Sequence, residues 1–227
     1  MSEATFALAG NPNSGKTTLF NALTGARQHV GNYPGVTVEK KEGIYLHDGR
    51  RLKIVDLPGT YSLTAYSLEE VVARDFLIKE KPAAVIDIVD ASNLERNLYL
   101  TLQFMEMGVP VIVALNMMDV AIQRGITIDT VKLQDLLGVP VVATVARRGE
   151  GKAELVEVAE RIVGAGVQKQ ALDISYGEDI DLALLKMEQD ITKIGFLTDT
   201  FRARWVALKY MESDEQILAR GRKTNPE

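Results

Sequence analysis

Residues 10–17 read Gly-Asn-Pro-Asn-Ser-Gly-Lys-Thr, the pattern G-x-x-x-x-G-K-[ST]. The run follows an apolar strand-like stretch (Thr5 to Ala9) and opens a helix-compatible one (Thr17 to Leu23). A strand, a glycine-rich turn and a helix N-terminus in that order leave several backbone N–H groups and the positive end of a helix dipole aimed at one point, a ready anion site. Lys16 can reach terminal phosphates and the Thr17 hydroxyl can bind Mg2+. Such a unit commits the chain to a layered α/β architecture and to a phosphorylated ligand.

Two further segments narrow the ligand. Asp56-Leu57-Pro58-Gly59 closes a second apolar run (Leu52 to Val55). A carboxylate there can hold Mg2+ through water, and the Gly59 N–H can meet a γ-phosphate. Asn116-Met117-Met118-Asp119 closes a third run (Val111 to Leu115). An Asp119 carboxylate only accepts hydrogen bonds. Guanine offers it N1–H and N2–H2, whereas adenine presents an acceptor at N1. A site built for such bonds rejects an analogue lacking them by about 10⁴ or more, so the base is read as guanine. The alternative is that Asn116 and Asp119 only cap the next turn. Between the first two motifs, Gly31-Asn32-Tyr33-Pro34-Gly35-Val36-Thr37 carries two glycines and a proline and is expected as a mobile loop. Thr37 is its candidate for closing on Mg2+ and the γ-phosphate.

The strand and helix signals alternate. Strands are predicted at 4–9, 38–46, 51–56, 83–89, 110–115 and 140–143, and helices at 16–24, 67–80, 93–107, 129–137 and 151–164. His47-Asp48-Gly49 makes one antiparallel hairpin. The rest fits a doubly wound, six-stranded, mostly parallel sheet with the three motifs at strand carboxyl ends. Gly164-Ala165-Gly166 marks a boundary, giving a nucleotide-binding domain at 1–166 and a helical domain at 167–227. In the latter, Ile180, Leu184, Met187, Ile191 and Ile194 form one stripe and Phe201, Trp205, Leu208 and Met211 a second; Asp214 to Ala219 read as the start of a third short helix, and the tail 220–227 is expected to fray. Stripes like these pack against each other or against the sheet, or else form a partner groove.

Composition excludes several classes. The net charge is −5 and residues 168–227 are themselves acidic, so no basic surface argues for nucleic acid. With no cysteine there are no disulfides, zinc thiolates or thiol nucleophile. Neither a signal-peptide pattern nor an apolar run of about 18 residues occurs, so the chain is expected to be soluble and cytosolic. His29 and His47 fall in loops or turns and read as solvated. Glu39 and Glu42 show an E-x-x-E spacing, but on a strand they point to opposite faces, and no Fe2+ site is expected here.

Residues 11–21 (Asn-Pro-Asn-Ser-Gly-Lys-Thr-Thr-Leu-Phe-Asn), 30–39 (Val-Gly-Asn-Tyr-Pro-Gly-Val-Thr-Val-Glu), 56–63 (Asp-Leu-Pro-Gly-Thr-Tyr-Ser-Leu) and 90–100 (Asp-Ala-Ser-Asn-Leu-Glu-Arg-Asn-Leu-Tyr-Leu) carry a closer likeness. The chain resembles the N-terminal cytosolic part of the ferrous iron transport protein B family, strongly over residues 1 to about 165. The resemblance implies a GTPase fold followed by a helical domain that favours the GDP form. It also implies a Fe2+-carrying membrane domain outside this chain, a place at the cytoplasmic face of the bacterial inner membrane, a small cytosolic accessory protein and a homo-oligomer as candidate partners, and stimulation by K+. The ion would be bound by the loop asparagine that matches Asn13. Phosphate and Mg2+ contacts carry over to Lys16, Thr17, Thr37 and Asp56, and guanine contacts to Asn116 and Asp119. The whole candidate set for nucleotide is Gly10, Asn11, Pro12, Asn13, Ser14, Gly15, Lys16, Thr17, Thr18, Gly35, Val36, Thr37, Asp56, Gly59, Asn116, Met117, Asp119, Val145 and Ala146. Lys16, Asn13, Thr37 and Gly59 are its catalytic candidates.

Two departures matter. Thr60 stands where Ras-like enzymes keep a water-orienting Gln, so slow turnover is expected, with K+ at Asn13 partly replacing an arginine finger, a group worth about 10³ to 10⁵ in rate. Thr144-Val145-Ala146-Arg147 lacks the Ser of the usual Ser-Ala-Lys loop. Ala146 matches the residue whose N–H meets guanine O6; Arg147 either stacks on the base or is solvated. Two other readings stand beside this one: a K+-stimulated GTPase linked to RNA or ribosomes, and a nucleotide-binding module without useful turnover.

Overall fold

The structure is a computed structural model that describes residues 3–47, 49–64, 66–165, 174–199 and 201–224. Its Cα packing divides the chain into two units, Met1–Met105 with Val109–Gln170, and Glu106–Gly108 with Ala171–Glu227. The expected boundary at 166/167 lies outside the described residues.

The first unit is a seven-stranded sheet in the order β2-β3-β4-β1-β5-β6-β7. The strands are β1 (Glu3–Gly10), β2 (Gln28–Asn32), β3 (Glu39–His47), β4 (Arg50–Asp56), β5 (Ala84–Asp90), β6 (Val111–Asn116) and β7 (Val141–Ala143). β1, β4, β5, β6 and β7 run parallel, while β3 pairs antiparallel with both β4 and β2. β6 and nearly all of β5 are buried, as central parallel strands covered on both faces must be. Helices α1 (Lys16–Thr24), α2 (Leu68–Glu80), α3 (Leu94–Met107), α4 (Met118–Gln123) and α5 (Thr130–Leu137) lie between strands, and α6 (Lys152–Ala165) follows β7. Phe6, Leu8, Phe20, Ile54, Ile88 and Leu155 belong to one buried core that joins α1 and α6 to the sheet.

The expectation of six strands is corrected to seven. Gln28–Asn32 contains one aliphatic residue, Val30, which is exposed. No apolar alternation marks this edge strand; backbone pairing to β3 makes it. α4 was also missed, being a six-residue helix entered through Met117 in the left-handed region (φ 62°). α2 begins with a reciprocal capping box between Ser67 and Glu70.

One polar group sits inside the sheet. Asp87, on β5, is buried and accepts a hydrogen bond from Thr101 Oγ1 at 2.6 Å. Burial pushes its carboxyl up to about 7, against the Thr101 hydroxyl that favours the charged form.

In the second unit, α7 (Glu178–Ile194) packs on α8 (Ala203–Met211), and α8 on α9 (Glu215–Thr224). Glu178, Asp179 and Asp181 complement the dipole at the start of α7. Of the predicted stripes, Leu184, Ile191, Phe201, Trp205 and Leu208 are buried, but Ile180, Ile194 and Met211 are exposed. At 1.5 Å per residue α7 is about 25 Å long and α8 about 13 Å, so the ends of the longer stripe outrun the shorter helix. Phe201 stacks on Trp205 with centroids 4.5 Å apart. The tail does not fray at 220: α9 continues to Thr224, capped by Asp214 Oδ1 on the Gln216 and Ile217 N–H groups. Gly221 allows this, because a Cβ there would collide with the Tyr210 hydroxyl. Residues 225–227 lie outside the described residues.

Candidate nucleotide site

Strand register brings the motifs together. Leu8 on β1 stands beside Asp56 at the end of β4, and Gly10 beside Ile88 on β5. Asp90 ends β5 beside Asn116 at the end of β6, whose Leu115 stands beside Ala143 on β7. All these carboxyl ends share one rim of the sheet.

The phosphate loop turns from β1 into α1 under tight constraints. A Cβ on Gly10 would fall 2.7 Å from the Ile88 carbonyl oxygen, and one on Gly15 (φ 90°) would collide with the Asn116 side-chain amide. Only glycine fits at either position. Asn13 is held at φ 69°, which asparagine tolerates, with its side chain exposed. Pro12, Thr17 and Thr18 are exposed beside it. Both amide atoms of Asn11 and the Ser14 hydroxyl are buried and find no hydrogen-bond partner, a costly arrangement in a loop that served only itself.

Lys16 Nζ donates to Asp56 Oδ1 at 2.5 Å. Burial pushes the Asp56 carboxyl up although the Lys16 ammonium holds it down. Gly59 lies against the loop, its Cβ direction 3.8 Å from the Gly10 oxygen and from Pro12. Thr60 is buried. It therefore offers no exposed side chain where a water-orienting Gln would stand.

The segment expected as a mobile loop is partly structured. Gly31 and Asn32 belong to β2, and the Tyr33 N–H donates to the Val38 oxygen at 2.9 Å, closing a turn that contains Gly35 (φ 78°) and Val36. Tyr33 is buried, packs edge-on against Phe76, and its hydroxyl donates to the Asp56 carbonyl at 3.1 Å. Burial, reinforced by the Asp56 and Glu42 charges, pushes that hydroxyl up. Sequence reasoning missed Tyr33; a lone aromatic in a Gly/Pro-rich loop was the available signal. Thr37, in contrast, is exposed.

The segment after Gly59 has an anchor that was also missed. The Glu70 carboxylate accepts from Ser62 Oγ (2.7 Å), Thr64 Oγ1 (3.3 Å) and the Tyr66 N–H (2.9 Å).

The base end is a buried network. Asn116 Nδ2 donates to the Ser14 carbonyl at 2.8 Å, while its Oδ1 accepts from the Ala146 N–H (2.9 Å) and from Thr144 Oγ1 (3.3 Å). One side chain thus ties the phosphate loop to the 144–147 segment. Ala146–Arg148 form a 3₁₀ turn, with Val145 bridged to Glu150. The Ala146 N–H expected to face guanine O6 here donates to Asn116. Asp119 Oδ1 accepts from the Val120 N–H at 3.0 Å. Its Oδ2 accepts from the Arg147 guanidinium, so Arg147 is paired rather than merely solvated. Gly15, Thr18, Asn116, Met117, Asp119, Val145, Ala146 and Arg147 line a cleft of about 180 Å³.

The remaining candidates are accounted for. His29 is exposed. His47 is more engaged than expected: it stacks on Tyr45, and its Nδ1 lies 3.1 Å from Glu160 Oε1. Glu39 pairs with Lys41, and Glu42 with Lys40 and Lys53. Among the described residues no group of three or more His, Asp or Glu is placed to hold a metal ion, and no helix is long and apolar enough to cross a membrane.

Two family models match, "Ferrous iron transport protein B" over residues 4–159 and "FeoB cytosolic helical domain" over residues 176–227. A Porphyromonas gingivalis Fe(2+) transport protein A/Fe(2+) transporter FeoB fusion protein is 46% identical over 213 residues, which is 93% of this chain and 25% of that protein. The chain thus spans about a quarter of the length of the curated relatives it matches. The cytosolic domain of the T. maritima FeoB iron transporter superimposes with a TM-score of 0.90 in a GDP form (41% identity, 99% of this chain and 87% of that one). Its GMPPNP form gives 0.88 (43% identity, 98% and 86%). The sheet, the phosphate loop on its rim and the helical unit that follows are a P-loop GTPase fold with a helical carboxyl-terminal domain, and the chain belongs to the ferrous iron transport protein B family.

Proposed function

We propose that this chain is the guanine-nucleotide switch of a ferrous iron transporter, binding GTP and Mg2+ and hydrolysing GTP slowly with help from K+. The observation that carries the reading is the Asn116 network, which ties the phosphate loop to the 144–147 turn beside the Asp119 acceptor. The T. maritima protein's GDP and GMPPNP forms support it. Residues 1–166 would form the nucleotide-binding domain and 167–227 the helical domain that favours GDP.

Lys16, now paired with Asp56, would neutralise the phosphate chain once it leaves that carboxylate. The Thr17 hydroxyl and Asp56 carboxylate are hard oxygen donors of the kind Mg2+ takes alongside phosphate oxygens, and Thr37 would join them by moving inward. The exposed Asn13 amide suits K+. These ions would supply positive charge to a γ-phosphoryl group that water attacks in line. Thr60 is buried, so orientation of that water falls to backbone groups near Gly59 and Thr37. The change around Thr37 and Gly59 would be relayed to a Fe2+-carrying membrane domain at the cytoplasmic face of the inner membrane. The P. gingivalis fusion makes a transport protein A-like accessory a fitting partner.

The test is GTP hydrolysis in matched K+ and Na+ buffers for wild type, Asn13→Ala and Lys16→Ala. K+ stimulation that disappears in Asn13→Ala, with multiple turnover abolished in Lys16→Ala, is expected. Equal rates in both salts would discard the potassium mechanism; turnover surviving Lys16→Ala would discard this site.

A further inference from the structure

We infer that Arg147 is an internal competitor for guanine: its guanidinium occupies the base-recognition carboxylate of Asp119, and the nucleotide base binds by displacing it. The inference rests on the guanine reading above.

Both carboxylate oxygens of Asp119 are engaged. Oδ1 accepts from the Val120 N–H and Oδ2 from Arg147 Nη2, with Arg148 Nη2 a further 3.7 Å from the same oxygen. Burial raises the Asp119 carboxyl, but the Arg147 hydrogen bond and charge outweigh it and hold the group below its usual range.

The chemistry of the two occupants is shared. The N1–C2–N2 edge of guanine is a planar pair of N–H donors on one carbon, the arrangement that the end of a guanidinium presents. A carboxylate shaped to accept from one accepts from the other. The 144–147 segment lacks the serine that would otherwise offer Asp119 a neutral hydroxyl: Val145 stands there, the Thr144 hydroxyl and the Ala146 N–H are turned to Asn116, and the groups from this turn near Asp119 are the guanidiniums of Arg147 and Arg148.

The arrangement also suits exchange. The backbone that presents Arg147 is fixed by the Ala146 N–H on Asn116, by the Gly149 N–H on the Ala146 oxygen (3.2 Å) and by the Val145–Glu150 bridge. Only the side chain has to leave. It is 59% exposed and can swing into solvent. A competitor that occupies the site for part of the time lowers apparent affinity by the fraction of molecules it blocks. For a partly exposed ion pair that amounts to about two- to ten-fold.

Stopped-flow binding of N-methylanthraniloyl-GDP to wild type, Arg147→Ala and Arg147→Lys tests this. Arg147→Ala is expected to bind about two- to ten-fold more tightly, mainly through faster association, with dissociation little changed. Arg147→Lys, a point charge without the planar donor pair, should fall between. In an Asp119→Asn background with xanthosine diphosphate, whose C2 carbonyl pairs with the new amide, no carboxylate remains to compete for, and Arg147→Ala should leave affinity unchanged. Equal or weaker GDP binding by Arg147→Ala overturns the inference, because Arg147 would then be idle or would hold Asp119 in place for the base. Tighter xanthosine diphosphate binding in the double variant also overturns it, by tracing the effect to the loop. Wild-type protein that binds no labelled GDP would overturn the guanine reading itself.

Discussion

The two ends of the nucleotide site are built differently. At the base end, Asn116 is buried and satisfied on both amide atoms by backbone and side-chain partners from segments about a hundred residues upstream and thirty downstream. At the phosphate-sensing end, Thr37 is exposed, and the segments on either side of it and of Gly59 are held at a few points: the Tyr33 hydroxyl on the Asp56 carbonyl, the Glu70 carboxylate, and the Gln103 side chain on the Leu63 N–H. A buried network has one low-energy arrangement, because each unpaired member would cost a full desolvation penalty. A loop held at a few separate points can be released one contact at a time, without unpairing a whole network. The difference separates a frame that recognises from parts that respond.

Asn116→Ala should break the comparison hardest. It strands the Ala146 N–H, the Thr144 hydroxyl and the Ser14 carbonyl in a buried place. It is expected to destabilise the fold by about 2–4 kcal/mol, a fall in Tm on the order of 5–10 °C, as well as weakening nucleotide binding. A Tm within about 2 °C of wild type would mean that the base end is no stiffer than the loops.

Asp87 tests the sheet floor between the two ends. Its folded-state pKa lies above its unfolded one, so its contribution is complete below the ordinary carboxylate range and is lost as pH rises toward and through about 7. Urea unfolding of wild type should lose about 2–3 kcal/mol between pH 5 and pH 8 relative to Asp87→Asn. Parallel pH profiles would remove Asp87 as the cause.

Glu70→Ala should have the smallest global effect, about 1 kcal/mol for the lost cap. Its mark should be local, as faster amide hydrogen exchange at Tyr66 and Ser67, whose N–H groups lose the carboxylate, with no change at Ala146. Loss of protection at both places would show the two ends to be one cooperative unit.

Much of this was legible because it rests on short-range rules. Asp56 and Asn116 each end an apolar run, and Gly10 and Gly15 sit where only glycine can. The order of β1, α1, β4 and β6 followed from those runs. What was hidden depends on distant partners. β2 carries no pattern of its own and exists through pairing with β3. Tyr33 and Glu70 are ordinary loop and helix residues until the fold brings Asp56 and Ser62 to them. Ile180 and Ile194 matched a helical stripe well, yet α8 is too short to cover them. The Arg147–Asp119 pair crosses 28 positions, and no local rule chooses it over stacking or solvation.

The close approach of Gly15 to the Asn116 amide also bears on modularity. Two motifs separated by a hundred positions share a boundary with no room for even one methyl group. Neither can be transplanted alone: a chimera that takes the phosphate loop from one GTPase and the base motif from another must match at this seam. Trial grafts in this chain should therefore exchange residues 10–17 and 116–119 together.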